Sequence, residues 1–182
     1  MFNFLNRQFE KRKNIRTSKK YRDYAGAKGV RFLASLAKEQ GKELCAGQYA
    51  MLVYVAHGIC LARFNERLLD RLERVLCIES GPLVASAFLY AGRYGYGTLN
   101  LPTRELQDCY LPAKSASSLE IAFNCFGCAS SSKLDEFAIL KGGPWYKTYY
   151  DEFGRTHERE INDYVIQQHY IRMINRKNVS GI

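Results

Sequence analysis

Apolar residues recur at helical spacing in three long stretches of the chain. From Lys28 to Gln40 they recur every three or four positions, and Gly41 supplies a helix stop. Residues 45–62 are apolar almost throughout, which predicts a central element covered on several sides, a core helix or alternatively a strand. A third stretch, from Asn162 to Lys177, again places its apolar residues on one helix face. The pattern therefore predicts helices near the beginning, centre and end of the folded part of the chain.

The clearest amphipathic pattern runs from Asn65 to Cys77. Leucine and valine side chains form one stripe and charged side chains form the opposite face, with Asn65 as the N-cap. Gly81 and Pro82 then interrupt the chain, and a proline in a first helical turn favours a second, short helix from Leu83 to Tyr90. Both segments are predicted to be helical.

Two kinds of polar segment divide the rest of the chain. Serine runs at residues 115–118 and 130–132 are each able to cap a following helix. Residues 145–150 and 155–161 flank a turn-forming segment, which predicts a β-hairpin near residues 145–161. The fold class is therefore predicted as mainly α in a single domain, or as α+β if this small hairpin forms.

Length and charge separate a globular domain from an N-terminal arm. A chain of 182 residues with 47% hydrophobic residues fits one domain with a substantial core. Of the formal net charge of +9, residues 1–31 carry +8, which leaves the rest of the chain close to neutral. We therefore divide the chain into a basic N-terminal arm, residues 1–26, and a largely helical globular domain, residues 27–182.

This basic arm carries the strongest functional signal. Lysine and arginine side chains next to phosphates release counterions, which gives affinity for nucleic acid without any reading of base sequence. The arm therefore predicts a DNA- or RNA-associated binding or regulatory protein, and we do not expect an enzyme. The predicted nucleic-acid-binding residues are Arg7, Lys11, Arg12, Lys13, Arg16, Lys19, Lys20, Arg22 and, in a later loop, Arg93.

The same arm also suits other partners. It would dock on an acidic protein, or on an anionic membrane surface, since Phe2, Phe4, Leu5 and Phe9 precede the basic run as a short apolar face. A homodimer contact through the helical body is a further expectation. A solvated terminus without a partner is the remaining alternative.

A glycine-rich loop carries the arginine predicted outside the arm. Residues 92–97 interleave three glycines with Arg93, Tyr94 and Tyr96, so the backbone must adopt unusual angles. The spacing is not that of a phosphate-cradling nucleotide loop, and we expect no cofactor. The two tyrosines either contact nucleic acid or pack inward.

The six cysteines follow the apolar pattern rather than marking loops. Free, buried thiols are therefore expected. Cys125 and Cys128 form the only close pair, and zinc would need two further ligands, so we expect no metal. Cys45 and His57 are twelve positions apart in one apolar element, which does not predict that a thiol nucleophile meets its base.

A different activity is implied by a resemblance. Glu79 is followed by Ser80 after the predicted helix, and this arrangement resembles the end of the catalytic helix of lytic transglycosylases. Residues 95–102 and 142–150 are similar to later motifs of that family, with Asn100 in place of its glutamine. The resemblance implies a lysozyme-like domain that cleaves glycans, with Glu79 as the general acid.

We expect no export signal, because the first residues lack the order of basic start, long apolar stretch and small-residue cleavage site. The apolar run at residues 49–62 contains His57 and Gly58 and is too short to span a membrane. A cytoplasmic protein without a transmembrane segment is expected.

Overall fold

One long apolar helix organises the fold. The computed structural model describes residues 22–107, 110–150 and 159–179. Within these residues the helices are α1 (Ala25–Glu39), α2 (Ala46–Phe64), α3 (Ala85–Gly92), α4 (Thr103–Gln107), α5 (Ala113–Phe126), α6 (Ser131–Ala138), α7 (Pro144–Tyr149) and α8 (Asp163–Val179). The strands are β1 (Val75–Ile78), β2 (Gly81–Val84) and β3 (Arg159–Glu160).

Helix α2 is the centre of the core. Its residues are buried without interruption from Tyr49 to Leu61, because helices α1, α3, α5 and α8 and strand β2 pack around it. The apolar run therefore forms the predicted core helix and not a strand. The predicted helices at both ends of the folded part, α1 and α8, are confirmed as well.

A small antiparallel sheet lies beside the helices. Its strand order is β2-β1-β3, and Val75 pairs with Val84 in the hairpin of β1 and β2. The two-residue turn of this hairpin is Glu79 and Ser80, and Gly81 follows with a φ of 132°. Only a glycine adopts that angle without strain, so Gly81 serves the hairpin turn.

Two helix predictions near this hairpin are wrong. The segment predicted as a helix from Asn65 to Cys77 is a loop followed by β1, and Leu83 belongs to β2 rather than to a helix. Asn65 is the C-cap of α2, in the left-handed conformation, and not an N-cap. The segment leaves the helical path because the Arg67 guanidinium donates to the carbonyl oxygens of Leu69 and Glu73, which fixes a loop.

The predicted β-hairpin at residues 145–161 is also misplaced. Its first half forms helix α7, which begins at Pro144 in the first turn where proline is well tolerated. The indole nitrogen of Trp145 donates to the carbonyl oxygen of Ile78 at 2.7 Å and ties α7 to β1. In the second half, Arg159 and Glu160 pair with β1 instead.

Of the serine runs, one caps a helix as predicted. The side chain of Ser130 accepts a hydrogen bond from the backbone of Lys133 at the start of α6. Ser115 and Ser118 lie inside α5, where the hydroxyl of Ser118 donates to the carbonyl oxygen of Lys114. The fold is mainly α with a small β element, as predicted. None of the helices in the described part of the chain is long and apolar enough to cross a membrane.

Candidate functional site

Seven of the nine predicted nucleic-acid-binding residues fall in the arm before the described part of the chain. Arg7, Lys11, Arg12, Lys13, Arg16, Lys19 and Lys20 lie outside the described residues. The structure describes the other two, Arg22 and Arg93. Arg22 shows where the arm enters the globular body and what surrounds that point.

Arg22 contacts the body through helix α4. Its Nε lies 3.2 Å from Oε2 of Glu105, and its backbone carbonyl accepts a hydrogen bond from the Arg31 guanidinium at 3.1 Å. The hydroxyl of Tyr90 donates to the same Glu105 oxygen at 2.7 Å. Residues of α1, α3 and α4 are thereby joined around one buried carboxylate.

Several neighbouring groups shift the pKa of the Glu105 carboxyl. Burial raises the pKa of this carboxyl, and the hydrogen bond from Tyr90 lowers it. Three positive charges lower it further, so the pKa lies below its ordinary value. They belong to Arg22, Arg31 and Arg104. These three guanidinium groups together favour the ionised form of Glu105.

The first turn of α1 is held by acidic side chains from the loop before β1. The backbone nitrogen of Ala25 donates to Asp70 at 2.9 Å, and that of Gly26 donates to Glu73 at 3.1 Å. Glu73 is buried and also accepts hydrogen bonds from the Ser86 hydroxyl and the backbone of Asp70. These carboxylates satisfy helix N–H groups and complement the helix dipole. They thereby fix the point where the arm ends and joins the body.

Gly26 is required for this anchoring. A Cβ atom at this position would lie 2.2 Å from the Ser86 hydroxyl oxygen and 2.9 Å from a Glu73 oxygen. Helix α1 has no side-chain N-cap of its own. The distant carboxylates therefore replace the local capping residue that a sequence pattern would identify.

The glycine-rich loop directly follows α3, and Arg93 is its first, exposed residue. Tyr94 packs on Tyr90, with ring centroids 5.7 Å apart, and Tyr96 packs on Phe88 at 5.9 Å. Tyr94 thus takes the inward alternative, whereas Tyr96 stays 44% exposed above Phe88. Arg93 lies one turn beyond Tyr90, the residue that donates to Glu105.

Glu79 does not occupy the position that the transglycosylase resemblance requires. That family places its glutamate at the end of a helix, whereas here Glu79 is exposed in the turn between β1 and β2. A general acid of that kind lies in an apolar cleft, whereas the Glu79 side chain is exposed. The resemblance therefore rests on a helix that does not form.

The described thiols differ in burial, and Cys109 lies outside the described residues. Cys60 and Cys77 are buried as predicted, and burial raises the pKa of Cys77 to about 11, with Arg159 opposing the shift. Cys45 is half-buried. Cys125, in the last turn of α5, and Cys128, two residues beyond its end, are exposed, contrary to the expectation of core cysteines. Within the described residues, no group of three His, Cys, Asp or Glu side chains is placed to hold a metal ion.

A buried polar network was missed from the sequence. His57 is fully buried in α2, and its Nε2 lies 3.0 Å from Oδ1 of Asp163 at the start of α8. Arg67 binds the other carboxylate oxygen of Asp163. Cys45, by contrast, caps α2 at its beginning with Gln48 and lies near Ser131, so Cys45 and His57 serve different contacts. An apolar run with one histidine gives no sign of an acidic partner 106 residues later.

Comparisons with known proteins add no relative to this description. Neither the family models, nor the curated proteins, nor the solved structures contain a match to the chain.

Proposed function

We propose that the protein binds nucleic acid through its basic arm, and that the helical body extends the phosphate-binding surface where the arm joins it. The observation that supports this most directly is that the arm joins the body beside Glu105, with Arg104 on the adjoining surface. Arg22, near the end of the arm, lies beside this carboxylate, Arg104 is exposed next to it, and Arg93 is exposed in the loop after α3. Positive charge concentrated on one segment and continued on the adjoining surface is suited to follow a polyanion.

The geometry gives each part a distinct role. The arm supplies phosphate contacts that do not depend on base sequence. The body holds the C-terminal end of the arm in a fixed place, because Asp70 and Glu73 bind the first turn of α1. Arg104 adds a phosphate contact at the junction, and Arg93 adds one in the loop after α3. The protein acts by binding, as an accessory or regulatory factor, and not by catalysis.

Salt dependence of binding tests this proposal. The full chain is titrated with duplex DNA, single-stranded DNA and structured RNA at several salt concentrations. Replacement of Lys11, Arg12, Lys13, Lys19 and Lys20 by Ala should weaken binding and reduce the salt slope by about 1 for each phosphate-binding side chain that is removed. Arg93→Ala with Arg104→Ala should reduce the slope by about 2.

A control with the same change in net charge separates local from general electrostatics. Lys38, Lys133, Lys141, Lys147 and Arg172 are exposed on other parts of the body, and their replacement by Ala removes as many charges. This control should keep most of the salt slope. If the two variants behave alike, or if the full chain binds none of the three nucleic acids at low salt, the proposal fails. Tighter binding to phosphatidylserine vesicles or to an acidic peptide would favour those partners instead.

A further inference from the structure

A second feature of the body is an apolar cavity formed by four helices. Its volume is about 170 Å³, and it is lined by side chains of α2, α5, α6 and α8. Val55, Ile59 and Arg63 follow one another at intervals of four along the α2 wall, and Ile121 and Cys125 do the same on α5. The residues come from distant parts of the sequence, so the cavity exists only in the folded chain.

The size of the cavity restricts what it accommodates. A cavity of about 150 Å³ lined by aliphatic and aromatic side chains takes up a molecule as small as benzene. The present cavity is comparable in volume and chemistry, and it opens to solvent at one side, where Cys125 and Arg63 are exposed. The cavity therefore suits a small apolar molecule with one end at the surface.

One charged side chain stands at the cavity mouth. Arg63 belongs to the wall, is exposed, and forms no ion pair with any described residue.

This cation favours an anion over a neutral ligand. The Arg63 guanidinium at the cavity mouth complements a carboxylate in a forked, two-bond geometry. An apolar wall with a cation at its mouth matches an amphiphile with a single anionic group.

We propose that this cavity binds a medium-chain monocarboxylate, with its hydrocarbon part among the aliphatic side chains and its carboxylate at Arg63. This site is independent of the basic arm, so its test does not depend on nucleic-acid binding.

Octanoate is the probe, and the exposed thiols report its binding. Cys125 lies in the cavity wall, whereas Cys128 is exposed outside the wall, three positions further along the chain. Octanoate should slow alkylation of Cys125 by iodoacetamide roughly tenfold while leaving Cys128 unchanged, as measured by peptide mass spectrometry. Equal rates at Cys125 with and without millimolar octanoate would overturn the proposal.

Two variants test the polar contacts. Arg63→Gln should weaken octanoate binding roughly tenfold by calorimetry and leave the binding of neutral 1-octanol unchanged. Arg71→Gln is the matched control, since Arg71 is exposed and takes no part in the cavity wall. If octanol and octanoate bind equally to all variants, the anionic part of the proposal is wrong.

Filling the cavity gives an independent check. Ile174→Trp adds volume to a half-buried position of the wall and should abolish protection of Cys125. Its fold is verified first by circular dichroism, and Ile121→Phe replaces it if it does not fold. Full protection of Cys125 in a folded, filled variant would show that octanoate acts elsewhere and would overturn the site.

Discussion

At the residue scale, the loop before β1 separates two leucines that the sequence treats alike. Leu69 and Leu72 both belong to the apolar stripe of the predicted helix from Asn65 to Cys77. In the structure Leu69 is 2% exposed, whereas Leu72 is 82% exposed. Helical spacing pairs them on one face, but the loop fixed by Arg67 turns one inward and the other outward.

Alanine substitutions should reveal this difference. Leu69→Ala removes buried methyl groups and should lower the free energy of unfolding by about 2–5 kcal/mol. Leu72→Ala removes only exposed methyl groups and should stay within about 0.5 kcal/mol of the original chain. Urea unfolding followed by Trp145 fluorescence measures both. A large loss of stability for Leu72→Ala would contradict the loop and restore the helix.

Gly58 illustrates a requirement for close packing. A Cβ atom at Gly58 of α2 would lie 2.3 Å from Cε2 of the buried Tyr170 ring on α8. Gly58→Ala should therefore lower stability by roughly 1–3 kcal/mol in spite of the better helix propensity of alanine. In the same helix, a Cβ at Gly47 would meet nothing closer than the Cys45 sulfur at 3.9 Å. Gly47→Ala is the control and should raise stability by roughly 0.4–1 kcal/mol in the same urea titration.

At the element scale, the sequence predicts helices well where one long apolar pattern decides the structure. Helix α2 is buried on nearly every side, so its run of apolar residues is sufficient to identify it. The strands could not be predicted, because β1 and β2 have only four residues each and continue apolar spacing from a loop. Helix α1 begins without a local cap, since Asp70 and Glu73 satisfy its N–H groups from far along the chain.

The candidate sites also differ in whether the sequence alone predicts them. The arm and its charge are visible in the sequence because they depend on composition alone. The cavity and the contact between His57 and Asp163 are not, because they bring together helices that are more than a hundred positions apart. Glu79 was misplaced because its proposed role depended on the helix that does not form.

Asp163 links α8 to α2 and makes stability depend on pH. Burial raises the pKa of its carboxyl, but the hydrogen bond from His57 and the charge of Arg67 outweigh burial and lower the pKa below its ordinary value. The ionised form therefore stabilises the fold above the ordinary pKa, and this contribution disappears as the pH falls through the lowered value. Asp163→Asn should cost roughly 1–3 kcal/mol at neutral pH.

The stability difference between Asp163→Asn and the original chain should shrink between about pH 5 and about pH 2. Asp135 on α6 provides a control of opposite sign, because desolvation raises the pKa of its carboxyl. Asp135→Asn should lose no stability at neutral pH. Urea unfolding across this pH range measures both, and a pH-independent penalty for Asp163→Asn would show that its charge is not responsible.

At the scale of the whole molecule, the arm and the body meet inside the first turn of α1. The boundary suggested by charge, after residue 26, falls within this helix, which begins at Ala25. A cut there removes the N–H groups of Ala25 and Gly26 that donate to Asp70 and Glu73, together with the ion pair between Arg22 and Glu105. The junction is therefore both the C-terminal end of the arm and part of the folded body.

Two truncations distinguish these roles. Deletion of residues 1–21 removes only the arm before the described body, so stability should change by no more than about 0.5 kcal/mol. Deletion of residues 1–26 leaves the buried Glu73 without one of its donors and should cost roughly 1–3 kcal/mol more. Trp145, the single tryptophan, is 5% exposed and reports unfolding of both forms. Arg22→Ala in the full chain isolates the contribution of the ion pair with Glu105 to stability.

Both truncated forms should lose most of the salt-dependent affinity for nucleic acid, because both lack the arm lysines. Unfolding of the form that lacks only residues 1–21 would instead make the arm a structural part of the domain.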